Sequence, residues 1–168
     1  SLWFNEMCES KDKDQMFFLD RYKEERVQLD YWWMDAGWYP CKGSWPNTGT
    51  WEPDLARFPN GLRAVSDYAL TQGVKTLVWF EPERVAADTW LSNNHPDWLL
   101  GGTLLNLGKP EVLQWLTDHV DRILTEQGIH FYRQDFNMDP LEFWRKNDAP
   151  DRQGITENLH IQNYLAYW

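Results

Sequence analysis

The feature that most constrains the fold is a regular alternation of short apolar runs with longer amphipathic segments. Strand-like runs occupy residues 29–35, 74–80 and 129–135, and a shorter one covers residues 2–5. Helical periodicity is predicted over residues 12–28, 62–72, 84–93, 110–127 and 152–167. Strands that alternate with helices of this length indicate βαβ units and a parallel sheet.

The ends of the strand-like runs favour a barrel over a doubly wound sheet. Each run ends in polar or acidic residues, namely Asn5, Asp35, Glu81 with Glu83, and Asp135. Barrel enzymes place their chemistry at the carboxyl ends of their strands, and no Gly-x-Gly-x-x-Gly segment follows any of the runs. A complete (β/α)8 barrel takes about 250 residues. The 168 residues therefore predict an α/β fold that is a partial TIM barrel: one domain over residues 1–168, with about the first four βα units.

Charge narrows the classes of partner. With 16 basic and 26 acidic residues, the chain has a formal net charge of -10. A chain with this charge repels phosphate backbones, so neither nucleic acid nor an anionic membrane surface is an expected partner. No apolar run approaches the roughly 20 residues of a membrane-spanning helix. The compartment stays open between the cytoplasm and a secreted or periplasmic location.

Twelve tryptophans are unusual for a chain of this length. The flat face of an indole ring packs on the C–H surface of a sugar as well as it packs in a core. Five of these rings crowd around the end of one strand-like run and the loop after it: Trp32, Trp33, Trp38, Trp45 and Trp51. This position favours a carbohydrate cleft over packing alone.

The two cysteines, Cys8 and Cys41, have no Cys-x-x-Cys spacing, so no zinc or redox motif is expected. A disulfide, a shared pocket wall and two unpaired thiols all remain compatible with the sequence.

Asp135 is the strongest candidate for a catalytic group. Alternation along a strand places Arg133, Asp135 and Asn137 on one face, which offers a carboxylate, a fixed cation and an amide for sugar hydroxyls. Glycoside hydrolysis usually needs two carboxyl groups that flank the scissile bond. The alternative for Asp135 is a structural Arg–Asp pair.

The other rim carboxylates each have two interpretations. Asp35 either accepts hydrogen bonds from sugar hydroxyls or caps the turn before Gly37. Of Glu81 and Glu83, one could point into the cleft, while the other forms a salt bridge with Arg84 or a neighbouring helix.

These residues fall in stretches that resemble glycoside hydrolase family 36, the α-galactosidase and α-N-acetylgalactosaminidase group also called melibiases. The resemblance runs from about residue 30 to the end of the chain. The matching stretches, in family order, are Trp33–Trp38, Gly49–Trp51 with Arg57–Leu62, Trp79–Glu83, His95–Trp98, Leu104–Leu107 with Pro110–Val112, and Arg133–Asn137.

The resemblance implies a retaining hydrolase of terminal α-galactosides, in oligosaccharides or glycoconjugates, with a covalent intermediate on Asp135. It further implies that Asp35, Trp38, Trp51, Arg133 and Asn137 bind the sugar, that no metal or organic cofactor takes part, and that the full-length enzyme can form a homo-oligomer. The family's acid/base aspartate is expected beyond Trp168, so the fragment alone is expected to be inactive. Glu83, Asp148 and Asp151 are the substitutes within the chain, without positive support.

Two departures from the family pattern leave the sugar open. Arg133 and Gln134 stand where the family has Lys-Trp. The guanidinium of Arg is planar and carries several donors, whereas the ammonium of Lys is a compact charge. Gly101, Gly102 and Thr103 stand in place of a Gly-Arg-x-Gln segment. An α-N-acetylgalactosaminidase, a related α-glycosidase and a non-catalytic carbohydrate-binding protein therefore remain as alternatives.

Overall fold

The computed structural model describes residues 8–168, in which helices and short strands alternate. In chain order the elements are α1 (Asp12–Glu24), β1 (Tyr31–Met34), α2 (Arg63–Thr71), β2 (Lys75–Phe80), α3 (Trp90–Asn94), a 3-10 turn (Pro96–Trp98), β3 (Leu99–Leu100), β4 (Leu104–Leu105), α4 (Pro110–Glu126), β5 (Phe131–Gln134), α5 (Leu141–Asn147) and α6 (Ile155–Tyr167). No helix among these residues is long and apolar enough to span a bilayer.

The main sheet is parallel, with the strand order β1-β2-β5. Tyr31 pairs with Lys75 at the start of β1, and Phe80 pairs with Gln134 at the end of β2. The predicted α/β class with a parallel sheet is thus confirmed. The number of βα units in a barrel stays a prediction, and the strand predicted over residues 2–5 lies outside the described residues.

Local sequence explains several boundaries of α2 and α4. Pro110 opens α4, where its missing N–H costs nothing. Gly128, with φ 64°, follows the end of α4, and Gly73, with φ 77°, follows α2. Such left-handed glycines terminate helices because a side chain would be strained there.

Two parts of the secondary structure differ from the sequence prediction. The helix expected over residues 84–93 is reduced to Trp90–Asn94, because the backbone of Val85 donates to Thr103 and that of Glu83 accepts from Leu105. This pairing uses groups that a helix would need. The stretch between the predicted strand over residues 129–135 and the predicted helix over residues 152–167, for which no regular element was predicted, contains the short helix α5, Leu141–Asn147.

The chain divides into two compact units. The first comprises residues 8–45, Trp51–Phe80 and Asp121–Asp135, and its core includes Val65, Val78 and Phe80. The second comprises Pro46–Thr50, Glu81–Val120 and Phe136–Trp168, with a leucine-rich core that includes Leu91, Leu104 and Leu116. That residues 1–168 form a single domain remains a prediction.

His160 makes the second unit sensitive to acid. Its side chain is 3% exposed and lies 5.3 Å from the Trp144 ring, and burial lowers its pKa to about 4. The unfolded chain binds a proton near the ordinary value of about 6.5, whereas the folded one stays neutral. The contribution of neutral His160 to the free energy of unfolding is therefore fully present above about pH 6.5. It is lost as the pH falls towards 4, and the loss is on the order of 3 kcal/mol.

We expect His160→Phe to remove this part of the acid sensitivity, because phenylalanine fills the site without titrating. The measurement is the urea midpoint of the parent and variant proteins between pH 4 and pH 7. The parent should lose more stability than the variant on acidification, and parallel curves would contradict the assignment.

Candidate active site

Asp135 directly follows β5 at the carboxyl end of the sheet. Its backbone N–H donates to the carbonyl of Phe80 at 2.8 Å. Its carboxylate Oδ2 accepts a hydrogen bond from Trp79 Nε1 at 3.0 Å and lies 3.2 Å from Arg133 Nη1. The side chain is 35% exposed, so a carboxylate already facing two donors is still accessible from solution.

Arg133 is held from two sides within the first unit. Its guanidinium lies 4.9 Å from the centre of the Trp33 ring and forms the ion pair with Asp135. A planar cation stacked on an aromatic face gains from both charge and dispersion. The predicted neighbourhood of Arg133 and Asp135 is confirmed, and the same Arg–Asp pair serves either a structural or a catalytic role.

Trp79 contacts Asp135, although the sequence interpretation gave it no role. Its own carbonyl accepts a hydrogen bond from Trp38 Nε1 at 2.8 Å, while its indole N–H donates to Asp135. Through these two hydrogen bonds, Trp79 in β2 contacts both the loop after β1 and the residue that follows β5. The only sequence signal for Trp79 was its place in the Trp79–Glu83 stretch, because the donor to Asp135 is 56 positions away along the chain.

Asp35 has the turn-capping contact that was its alternative interpretation, since its Oδ1 accepts the N–H of Ala36 at 2.8 Å. Burial raises the pKa of the Asp35 carboxyl; the hydrogen bond from Ala36 and the charge of Arg133 oppose this shift, and the charge of Asp135 adds to it. The positive charge of Arg133 therefore acts on the carboxyl groups of both Asp35 and Asp135.

Trp38 and Trp51 are buried in the first unit, with 2% and 0% of their surface exposed. Their ring centres lie 5.9 Å apart, and Trp51 also packs on Trp79 and Phe80. In this arrangement neither ring presents an open face, so stacking on a sugar would require neighbouring rings to move. Direct contact of Trp38 and Trp51 with a sugar stays a prediction.

Burial of the other rings favours packing, and the wider expectation of a tryptophan-lined cleft stays a prediction. Trp32 is buried as well, and its Nε1 donates to Gln15 at 2.7 Å. Trp33 and Trp45 are only partly exposed. Most of the crowded rings serve packing, because an aromatic cluster near a strand end can be covered by its own loop.

Arg57 fixes the loop that follows Asp35, and the sequence interpretation did not assign it. Its Nη2 donates to the carbonyls of Gly37 and Tyr39, and its Nε pairs with Asp54 at 2.8 Å. Its Nη1 donates to the carbonyl of Ser10 at 3.1 Å. One side chain thereby bonds two carbonyls of this loop and a third carbonyl just before α1.

Asn137, Glu81 and Glu83 belong to the second unit. Asn137 is exposed, and both of its backbone polar groups are bonded, its N–H to Glu81 and its carbonyl to Arg84. Glu81 and Glu83 are buried, and Glu81 pairs with Arg84 at 2.6 Å. The expectation that one of the two glutamates pairs with Arg84 is confirmed for Glu81.

Asp148 is used to cap α6. Its carboxylate accepts the backbone N–H groups of Gly154, Ile155 and Thr156, together with the hydroxyl of Thr156, which contributes most to lowering its pKa. A general acid must hold a proton at working pH, so a lowered pKa disfavours Asp148 as the missing acid.

The described residues offer neither a disulfide nor a metal site. Cys8 and Cys41 are thiols rather than halves of a disulfide, and burial, together with the hydrogen bond to Cys41, raises the pKa of Cys8 to about 12. No group of three or more His, Cys, Asp or Glu side chains within residues 8–168 is arranged to hold a metal ion.

Comparison with known proteins identifies one family. The Melibiase family model matches residues 10–164. α-Galactosidase Mel36A of Lactobacillus acidophilus is 27% identical over 154 residues, which cover 84% of this chain and 21% of that protein. A probable α-galactosidase C of Aspergillus oryzae is 31% identical over 126 residues, 62% of this chain and 17% of the relative. The chain thus spans about a fifth of the length of the curated relatives it matches.

Solved structures share the fold. The GH36 α-galactosidase AgaA of Geobacillus stearothermophilus, in complex with 1-deoxygalactonojirimycin, superposes with a TM-score of 0.83 at 20% identity, over 98% of this chain and 24% of that one. The α-galactosidase of Lactobacillus brevis gives a TM-score of 0.79 at 24% identity, over 98% and 23%. At these identities the likeness is one of fold.

Proposed function

The chain belongs to the Melibiase family, and from this premise we propose that it forms part of the catalytic module of a retaining hydrolase that cleaves terminal α-galactosides. The observation that supports the proposal is the Asp135 carboxylate, which is partly exposed at the carboxyl end of the sheet and faces Trp79 and Arg133. Variants of one structural neighbour, the GH36 α-galactosidase AgaA of Geobacillus stearothermophilus, are in complex with raffinose and with stachyose, which are α-galactoside oligosaccharides.

In the proposed reaction, Asp135 attacks the anomeric carbon and the glycosidic bond breaks. The leaving oxygen takes a proton from a carboxylic acid, and a covalent galactosyl ester forms on Asp135. Water then attacks the same carbon and gives its proton to the carboxylate of that acid, and the ester bond to Asp135 breaks. We place this acid/base group in another part of the full-length protein, as in the family pattern.

The remaining residues hold the sugar in this proposal. Arg133 and Asn137 contact hydroxyls, and Asp35 binds the side of the ring that bears the axial hydroxyl. Trp38 and Trp51 also contact the sugar, which requires the rings packed on them to move when it binds. Because the Asp135 carboxylate already faces Trp79 and Arg133, these groups require little reorganisation when the substrate binds.

The decisive measurement is the anomeric configuration of the first product, followed by proton NMR of the full-length gene product with an aryl α-galactoside. A retaining enzyme releases α-galactose first, and mutarotation then produces the β-anomer. Early appearance of the β-anomer would refute the retaining mechanism.

The sugar specificity is measured by comparing turnover of the aryl α-galactoside with turnover of an aryl α-N-acetylgalactosaminide and an aryl β-galactoside. Preferential turnover of the α-N-acetylgalactosaminide would move the assignment to that activity. Saturable galactose binding without hydrolysis of any substrate would instead identify a carbohydrate-binding protein.

A further inference from the structure

The Glu81 carboxylate is a fully buried charge in the second unit, with 0% of its side chain exposed. Its Oε2 lies 2.6 Å from Arg84 Nε, and its Oε1 lies 3.3 Å from Arg84 Nη2. Oε1 also accepts the backbone N–H of Asn137. Three donors thus converge on one carboxylate, which is the condition under which a buried charge is tolerated.

Arg84 completes a closed network around a single residue of the chain. Its Nη2 donates to the Asn137 carbonyl at 2.9 Å, while Glu81 accepts the Asn137 N–H. The Glu81–Arg84 pair therefore holds the backbone of Asn137 on both sides. Asn137 follows the proposed nucleophile by two residues, in a stretch outside any helix or strand.

The base of this network is itself fixed. Leu105 N–H donates to the Glu83 carbonyl at 2.8 Å, and Val85 N–H donates to that of Thr103 at 2.9 Å. An isolated bridge joins Arg84 to Leu104. These bonds fix the backbone of residues 83–85, next to Glu81 and including Arg84. The two side chains that bond Asn137 therefore start from an ordered backbone.

We propose that Glu81 and Arg84 are positioning residues, which fix the backbone of Asn137 and thereby the end of the short covalent connection to the proposed nucleophile Asp135, two residues earlier in the chain. This inference rests on the proposed function, since it presupposes that Asp135 forms the covalent intermediate. Neither residue needs to touch the substrate. Misplacement of a reacting group by about 1 Å can cost 10²-fold in rate. Loss of the bonds that hold the Asn137 backbone, two residues after Asp135, should therefore lower the rate.

The test uses Glu81→Gln and Arg84→Lys in the full-length protein. Glutamine keeps the shape of Glu81 but has one acceptor oxygen for three donors. Lysine keeps the charge of Arg84 but lacks the planar fork that reaches both Glu81 and the Asn137 carbonyl. We expect kcat per active site to fall by about 10- to 100-fold in each variant, with kcat/KM falling in parallel.

Active sites are counted by covalent trapping with a fluorinated galactosyl fluoride. The value of kcat is then calculated per trapped site, so that misfolded protein does not lower it. A purely structural role would lower the number of trapped sites and the thermal midpoint but leave kcat per trapped site unchanged. That result, in both variants, would overturn the positioning role. Asp67→Asn is the matched control, because it breaks the exposed Arg63–Asp67 pair and should leave kcat unaltered.

The two proposals fail separately. If Asp135→Ala keeps its turnover, the proposed nucleophile is wrong, whatever Glu81 does. If Asp135→Ala is inactive while Glu81→Gln and Arg84→Lys match the parent per trapped site, only the positioning role is wrong.

Discussion

Replacing Asp135 by alanine is expected to lower kcat of the full-length protein by at least about 10⁴-fold, because removal of a nucleophile leaves only binding and electrostatic contributions. The small side chain leaves room between Trp79 and Arg133, the two residues that face the native carboxylate. Added azide should enter that space, attack the anomeric carbon in place of Asp135 and restore part of the turnover of an activated aryl galactoside.

The configuration of the azide product identifies the role of Asp135. Azide that replaces the nucleophile attacks opposite the leaving group, so an α-galactoside should give β-galactosyl azide. If Asp135 were the acid/base instead, azide would intercept the covalent intermediate and give the α-azide. Asp118→Ala, a change on the exposed face of α4, is the control and should leave kcat unaltered.

Replacing Trp51 by alanine should strongly destabilise the first unit. Large-to-small changes at a buried aromatic cost about 3–5 kcal/mol, and the Trp51 ring touches Trp38, Tyr39, Trp79 and Phe80. The backbone of Trp51 adopts φ 53°, a region that bulky residues rarely occupy. Packing of the ring offsets this strain, and alanine would lose the packing without relieving the backbone.

Hydrogen exchange of the peptide that covers Lys75–Phe80 measures this effect locally. We expect amide exchange in β2 to accelerate on the order of 10²- to 10³-fold. Trp90→Ala is a size-matched control, since the Trp90 ring is partly exposed and belongs to the second unit. If Trp51→Ala leaves β2 protected but raises KM, the ring serves mainly to contact the sugar, and its packing role is refuted.

Regular elements were largely predictable because their causes are local. The period of apolar residues and the positions of Pro110, Gly73 and Gly128 locate α2, α4, β2 and β5 to within about two residues. The prediction failed over residues 84–93, where the local pattern is helical but distant partners in β4 use the same backbone groups.

Candidate residues of the site were predictable in part. Polar ends of strands located Asp35, Arg133 and Asp135, because a strand that leaves a buried sheet must end in residues that tolerate solvent. The roles of Glu81 and Arg57 were less accessible. Their partners include backbone groups of Asn137 and of Gly37, and no side-chain pattern in the sequence marks a backbone acceptor or donor.

The sequence by itself determined the alternation of strands and helices and the carboxylates at the strand ends, since each depends on neighbours within a few positions along the chain. It also determined the parallel class of the sheet, because a helix between two strands brings the chain back in the same direction. Only the tertiary structure decided which partners these groups meet. The register that pairs Trp79 with Arg133 brings an indole N–H to Asp135, and the loop after β1 buries the rings that composition had suggested for a cleft. Burial and register depend on residues dozens of positions apart, so physical contact, rather than local pattern, sets them.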